Sequence, residues 1–365
     1  MTDSPPRKRS ATGPLDFALN ERTSFGVKEA IARVCDRQDL SAEEMALVVG
    51  EIMDAQATPA QIGGLLTALR SKGETLGEVV GAARAMRARM TPVLFDVPVV
   101  VDTCGTGGDG SGSVNVSTLA ALIVAACDVP VAKHGNRALS SRSGSHDVIE
   151  ALGVDPAPSA ELAERCLREA GIAFLFAPTF HASTRHAAGP RKELGIRTVF
   201  NLLGPLTNPA GARFAVNGIF AQDRCELLAR AHQILGAERV MVVHGQGGLD
   251  EMAPSGSTFV AELRDGVVRT YELTPGDFGL PPTDPLGLKG GDPKLNATIL
   301  LQVLAGEAGP ARNVALMTAA AALYVTGKVA DLAAGATRAA GAVDSGAALA
   351  VLERLRALAP VQAAT

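Results

Sequence analysis

Between residues 26 and 90, apolar stretches alternate with polar start and stop signals spaced for helices. Ser41-Ala42-Glu43-Glu44, Thr58-Pro59-Ala60-Gln61 and Thr75-Leu76-Gly77-Glu78 each set a hydroxyl three residues ahead of an acid or amide. That spacing lets a side chain cap a helix start while its partner reaches back, and proline suits the first helical position. Gly73 and Pro92 supply stops. The pattern predicts four helices, roughly 26–37, 42–55, 59–72 and 76–90.

The pattern changes at residues 97–136, VPVVVDTCGTGGDGSGSVNVSTLAALIVAACDVPVAKHGN. It predicts a strand at 97–103, a glycine loop at 105–112, a helix at about 115–127 and a second strand at 129–132 that ends in Lys133. A loop of this kind turns backbone N–H groups and a helix N-terminus toward whatever sits above it, which favours anions. Further on, a helix capped by Ser159 precedes a strand at 172–176; a strand at 213–220, a helix at 222–235 and a strand at 239–245 follow. Such alternation builds a sheet of parallel strands with helices on its faces. Residues 181–209 break the alternation, being helical and then turn-like, and can return to the helical module. Two short strands (258–263 and 267–272) and an Ala-rich helical region (294–356) complete the chain. The expected fold class is α/β: a small all-helical N-terminal domain over 25–91, with 181–209 returning to it, and a larger α/β domain over 92–180 and 210–365 with a mostly parallel central sheet.

Composition narrows the classes. With 47% hydrophobic and 20% charged residues, the 365-residue chain is an ordinary globular sequence with ample length for a core. A net charge of −4 and the absence of Trp weigh against a protein that grips a nucleic-acid backbone. Five widely spaced cysteines, with no C-x-x-C pair, fit a reduced, cytoplasmic setting. The longest apolar runs, 119–127 and 314–325, are too short to cross a bilayer. Residues 1–24 contain an RKR cluster but no apolar stretch after it, so a disordered tail is expected rather than a signal peptide.

Gly105-Thr106-Gly107-Gly108-Asp109-Gly110 satisfies G-x-G-x-x-G between a strand and a helix. A dinucleotide site of that kind needs an acidic residue about 20 residues on to hold a ribose diol. Lys133 occupies that place, so the loop suits a phosphate or pyrophosphate instead. Asn115, Ser117 and Thr118 can cap the following helix, or can hold phosphate oxygens or a hydrated metal. Lys133-His134-Gly135-Asn136-Arg137, followed by Ser140, Ser141, Ser143 and Ser145, is either a phosphate-binding surface or a solvated basic turn. The Asp250-Glu251 pair is surface charge or a magnesium site, since magnesium commonly takes one or two protein carboxylates beside water and phosphate. Arg191 is an exposed helix arginine or a fork for a planar carboxylate.

Together these stretches resemble the anthranilate phosphoribosyltransferases over residues 25–355. The resemblance rests on GTGGD (105–109), NVST (115–118), KHGNRALSS (133–141), RHAAGPRKELGIRTVFNLLGPLTNP (185–209), HGQGGLDE (244–251) and DFGL (277–280). It implies a pentosyltransferase fold of the nucleoside phosphorylase type, homodimeric through the helical domain. It also implies transfer of the phosphoribosyl group of phosphoribosyl pyrophosphate to the anthranilate amine, the second step from chorismate to tryptophan. Gly105, Gly108, Asp109, Ser113, Asn115, Val116, Ser117 and Thr118 would line the phosphoribosyl pyrophosphate site, completed by Lys133, Ser141 and Ser145. Ser117, Asp250 and Glu251 would hold Mg2+; Asn136 and Arg191 would bind anthranilate, with Gly105, His134 and His181 beside it. Lys133, His134 and Asn136 are the residues expected nearest the chemistry. His146 and Thr184 depart from the family pattern, which has a small residue and a larger apolar one there. Alternatives are a pyrimidine nucleoside phosphorylase, a transferase for another aromatic amine, and a non-catalytic nucleic-acid-binding paralogue.

Overall fold

The computed structural model describes residues 25–138 and 142–361. The expected tail, 1–24, and the candidate ligand Ser141 lie outside the described residues. Four helices come first: α1 (Val27–Cys35), α2 (Ala42–Met53), α3 (Pro59–Lys72) and α4 (Leu76–Arg87). The last three start on the hydroxyls that the spacing predicts, with Ser41, Thr58 and Thr75 accepting from the N–H of Glu44, Gln61 and Glu78. Glu78 does more than cap. Fully buried, it also accepts from Leu40 N at 3.0 Å and pairs with Lys72 at 3.1 Å, tying three parts of the bundle to one carboxylate. Gly81 lets α4 cross α2 at backbone contact, since a Cβ there would stand 2.2 Å from Ala42 O.

The α/β part runs β1 (Val101–Asp102), α5 (Val116–Ala126), β2 (Val131–Gly135), α6 (Ser145–Ala151), α7 (Ala160–Ala170) and β3 (Ile172–Phe176). The chain then leaves the sheet through α8 (Ala177–Phe180), α9 (Arg185–Leu194) and α10 (Phe200–Leu203), and returns as β4 (Phe214–Gly218), α11 (Cys225–Ile234) and β5 (Arg239–Gly245). A hairpin, β6 (Thr258–Arg264) and β7 (Val267–Leu273), and four helices, α12 (Pro293–Leu304), α13 (Pro310–Val325), α14 (Leu332–Asp344) and α15 (Ala347–Leu358), complete it. The strands form one seven-stranded sheet, β3-β2-β1-β4-β5-β6-β7, parallel as far as β5 and antiparallel beyond.

Two expectations about the central unit are corrected. The first strand is only two residues long, not 97–103, because Pro98 offers no N–H and the ladder ends at Asp102, whose Oδ1 takes His134 N at 3.1 Å. The second strand runs to Gly135, so Lys133 and His134 pair with Phe174 and Leu175 inside the sheet instead of lying in a turn after it.

Each face of the sheet carries its own apolar core. One is built with α5, α13 and α15; the other joins the four N-terminal helices to α11 and to Ala187, Phe200 and Leu203 of the segment that leaves the sheet. The bundle is thus packed on the α/β part, and Arg87 links them by donating to Leu206 O and Leu235 O at 2.6 and 2.9 Å. Among the described residues, no helix is long and apolar enough to cross a membrane.

On α11, buried His232 donates from Nε2 to Asn217 Oδ1 at 2.8 Å, and Asn217 Nδ2 donates to Cys104 O at 2.8 Å, which fixes the start of the glycine loop. Burial, then the Arg87 charge, lowers the His232 pKa from 6.5 to about 3. The unfolded chain therefore binds a proton that the folded chain refuses. This contribution to stability is complete above pH 6.5 and is lost as pH falls toward 3. His232→Gln keeps an amide N–H for Asn217 and removes the titration. Its unfolding free energy, from urea melts between about pH 5 and 7.5, should match the wild-type slope above pH 6.5 and below it decline less on acidification, by up to about 1.4 kcal/mol per pH unit. Parallel curves for the two proteins would show that His232 is not held neutral.

Candidate active site

The chain runs from β1 outward to β2 and β3 on one side, then crosses to β4 on the other. Strand order reverses between β1 and β4, and the crevice at their carboxyl ends is where open α/β sheets bind ligands. Asp102, fully buried at the end of β1, accepts from His134 N and, at 2.7 Å, from Asn208 Nδ2. Asn208 also donates to Ala132 O at 2.7 Å, so one amide clamps β1, β2 and the returning segment together. Burial pushes the Asp102 pKa up to about 6 against the pull of Lys133 and Asn208.

After β1 comes the glycine loop. Gly107, Gly108, Gly110 and Gly112 all have φ between 65° and 79°, a left-handed backbone that other residues rarely adopt. Asp109 braces the loop through Oδ1, which takes Ser111 N and Oγ, and through Oδ2, which takes Asp250 N at 3.3 Å. The N–H groups of Gly108, Asp109 and Gly110 donate to no acceptor among the described residues. Arg197, from the returning segment, lies 4.0 Å over the Phe220 ring and donates to Gly108 O.

Lys133 on β2 is only 2% exposed, and its ammonium donates to Thr103 O at 2.8 Å and Ser117 Oγ at 3.2 Å. Ser117 N in turn donates to Glu251 Oε1 at 3.1 Å. The first turn of α5 is therefore not free to hold a ligand anion as the sequence suggested. Glu251 occupies Ser117 N, while Val116 N and Thr118 N bond to Val114 O and Asn115 O at 2.7 and 3.2 Å. The Val116 and Thr118 side chains are fully buried, and Thr118 Oγ1 has no hydrogen-bond partner among the described residues.

The Asp250-Glu251 loop reaches the crevice because β4 and β5 end in glycine. A Cβ on Gly218 would stand 1.6 Å from Asp250 O, and one on Gly245 would stand 2.5 Å from Glu251 O. Gly105 faces the same loop, its Cβ position 3.4 Å from Asp250 Oδ2. Burial raises both carboxyls, Glu251 to about 7 despite Lys133 and Asp250 well above its ordinary range with added repulsion from Glu251 and Asp109. Three clustered carboxyls facing one ammonium are short of positive charge. Among the described residues there is no cluster of three or more His, Cys, Asp or Glu set to hold a metal. The donor set fits magnesium nonetheless, which needs few protein carboxylates when phosphate and water complete its shell.

Other candidates take structural places. Asn115 Oδ1 accepts from Asn296 Nδ2 and Ser143 Oγ, bridging α5 to α12 and to the loop before α6. Ser113 pairs with Lys289 in an isolated bridge. Arg137 forms surface ion pairs with Asp147 and Glu150, leaving Lys133 as the cation of this stretch that points inward. Asn136 is exposed at the mouth, and its carbonyl accepts from Ser145 Oγ.

His134 and His181 form a wall with ring centres 5.1 Å apart. His134 Nδ1 lies 2.9 Å from Gly204 O, which makes Nδ1 the donor and leaves Nε2 buried without a partner. Burial lowers His134 to about 3 and His181 to about 4. His134, expected near the chemistry, is therefore a poor proton acceptor at neutral pH. Arg191 on α9 stacks 5.1 Å from the Phe200 ring, has no ion pair among the described residues, and is held below its ordinary pKa by burial. A desolvated guanidinium in this state suits a carboxylate ligand. Asp102, Asn208 and Arg197 were missed from sequence; the VDTCGTGG, GPLTNP and GIRT stretches that carry them were the available signal.

Comparison with known proteins shows the family and the fold. A glycosyl transferase family helical bundle domain matches residues 28–90, and a glycosyl transferase family a/b domain matches residues 97–349. An anthranilate phosphoribosyltransferase of Anaeromyxobacter sp. (strain Fw109-5) is 52% identical over 332 residues, 91% of this chain and 98% of the relative. One from Rhodospirillum rubrum is 51% identical over 336 residues, 92% of this chain and 96% of the relative. Among solved structures, the enzyme of that name from Thermus thermophilus superposes with a TM-score of 0.86 at 43% identity, covering 90% of this chain and 98% of the other. The Saccharomyces cerevisiae enzyme, in complex with PRPP and Mg, gives 0.83 at 28% identity, covering 91% and 97%. By motifs, fold and overall identity, the chain belongs to the anthranilate phosphoribosyltransferase family of pentosyltransferases.

Proposed function

We propose that this chain joins anthranilate to phosphoribosyl pyrophosphate at the crevice between β1 and β4, releasing pyrophosphate and N-(5-phosphoribosyl)anthranilate. The observation that carries the reading is the Lys133–Ser117–Glu251 chain with Asp250 and Asp109 beside it, facing a loop with unused N–H groups. In the reaction the C1–O bond to pyrophosphate breaks, the amine nitrogen bonds to C1, and the amine loses a proton, which anthranilate's own carboxylate can take. Lys133 and the N–H groups of Gly108, Asp109 and Gly110 meet the charge that grows on the departing pyrophosphate. Magnesium, held by Asp250 and Glu251 with the Ser117 hydroxyl adjacent, would supply further positive charge to the same oxygens.

On the acceptor side, Arg191 binds the anthranilate carboxylate and Asn136 borders the ring. His134 and His181, neutral and buried, exclude water from the reacting carbon. An aromatic amine is already neutral at pH 7, so attack needs no prior deprotonation. Proximity of the two substrates then contributes most of the rate, an effect that can reach ~7 to 11 kcal/mol. A homodimer joined through α1–α4 and a cytoplasmic location belong to the same proposal.

Purified protein given magnesium and phosphoribosyl pyrophosphate should extinguish anthranilate fluorescence; persistent fluorescence with both substrates intact would sink the reading. Asp250→Asn combined with Glu251→Gln should lower turnover by about 100-fold or more and abolish the magnesium dependence. Unchanged magnesium dependence in that variant would remove the metal assignment. Arg191→Ala should raise the KM for anthranilate roughly 10- to 100-fold, the worth of a charge-assisted contact, and leave the KM for phosphoribosyl pyrophosphate nearly as it was. The opposite split would contradict the place given to Arg191.

A further inference from the structure

His146 follows Ser145 in the first turn of α6, and its side chain is fully buried. Its ring centre lies 5.0 Å from that of Phe176 and 6.4 Å from that of Phe174, two residues on one face of β3. Nδ1 stands 3.2 Å from Ser145 Oγ, and Ser145 Oγ stands 3.3 Å from Asn136 O. A serine hydroxyl has a single proton, and a carbonyl oxygen can only accept. For both contacts to be hydrogen bonds, Ser145 must donate to Asn136 O and His146 Nδ1 must donate to Ser145 Oγ. Nε2 then carries the lone pair, and it is buried without a partner.

The space around this pair is closed. A Cβ on Gly135 would stand 2.2 Å from Ser145 Oγ and 3.1 to 3.2 Å from His146 ring atoms. The histidine thus packs directly beneath the end of β2, the strand that carries Lys133. Asn136 O has a second donor, His146 N at 3.3 Å. It is therefore not left unpaired if the Ser145 hydroxyl turns away, a step that would otherwise carry the penalty of a broken hydrogen bond.

We propose that His146 is a positioning residue for phosphate recognition: its Nδ1–H holds Ser145 Oγ in place while the hydroxyl proton turns from Asn136 O to a phosphate oxygen of phosphoribosyl pyrophosphate. This rests on the transferase reading above and deepens it. A phosphate oxygen only accepts, so a serine engaged with it must release its carbonyl. A hydroxyl that receives a hydrogen bond from an imidazole is also the stronger donor.

The test compares His146→Asn, whose amide N–H lies near the place of Nδ1, with His146→Gln, whose amide reaches toward Nε2, and with His146→Phe, which fills the volume alone. Dissociation constants for magnesium phosphoribosyl pyrophosphate come from titration calorimetry, KM and kcat from anthranilate fluorescence, and Tm from thermal melts. The Asn variant should stay within about threefold of wild type, and the Gln and Phe variants should bind phosphoribosyl pyrophosphate about tenfold more weakly, with kcat and the KM for anthranilate nearly unchanged. Equal affinity in the Asn and Gln variants would overturn the role, as would parallel loss of kcat and of both KM values together with Tm. Should the Phe variant fail to fold, the Asn and Gln pair decides alone. Wild-type protein that binds phosphoribosyl pyrophosphate yet leaves anthranilate untouched would defeat the transferase reading and not the positioning role.

Discussion

The buried ammonium of Lys133 is the contact on which the rest of the crevice depends. A lysine left only 2% exposed is tolerable only where its charge is answered. Here the answer comes from Thr103 O, Ser117 Oγ and, through Ser117, the Glu251 carboxylate. Those partners come from the end of β1, the first turn of α5 and the loop after β5, so satisfying one charge fixes three elements relative to β2. The same arrangement accounts for Glu251 at the start of α5, where a carboxylate is favoured by the N–H groups of the first turn. What remains for a ligand is the loop ahead of the helix, and the glycines there have the backbone freedom that the loop needs.

The returning segment gives the crevice its second side. Arg197 reaches Gly108 O and Asn208 reaches Asp102, while Ala187, Phe200 and Leu203 of the same stretch are buried in the core of the helical bundle. Arg191, proposed above to bind the acceptor, therefore lies on a helix packed against the bundle, whereas Lys133 and the residues proposed for phosphate lie on the sheet and the loops at its edge. Arg87, buried and bonded to Leu206 O and Leu235 O, joins the two bodies beside His232, which in turn orients the loop through Asn217.

What could be read in the sequence was mostly local. Capping boxes at Ser41, Thr58 and Thr75 have their partners three residues away, and each appears in the structure as spaced. The glycine loop and the Asp250-Glu251 pair were also visible, because unusual composition marks them. The second strand extends past the end that the pattern sets for it, since polar residues ordinarily argue against an interior strand; Lys133 and His134 fit inside one only because Thr103, Asp102 and Gly204 supply distant partners. Asp102, Asn208 and Arg197 escaped notice for the same reason. Their roles are pairings across many tens of residues, and the stretches that carry them, VDTCGTGG, GPLTNP and GIRT, mark the neighbourhood without naming the partner.

Charge in the crevice is segregated in a way that bears on the chemistry. The paired imidazoles of His134 and His181 are held neutral by burial, with pKa values of about 3 and 4. The carboxyls beside the glycine loop are held above their ordinary range by burial, Glu251 at about 7 despite Lys133, and Asp250 also by repulsion from Glu251 and Asp109. Neither group is tuned as a general base for an amine near neutral pH: the imidazoles are too weak as acceptors, and the carboxyls are tied to Lys133, Ser117 and the glycine loop. The fold instead concentrates its unsatisfied electrostatics beside the glycine loop, where a pyrophosphate would leave in the proposed reaction, and keeps neutral imidazoles together with the Arg191 guanidinium where the amine would enter. Such a division suits a displacement whose difficulty lies in the leaving group, because a neutral aromatic amine needs only to be aimed, while the charge shed at C1 must be received.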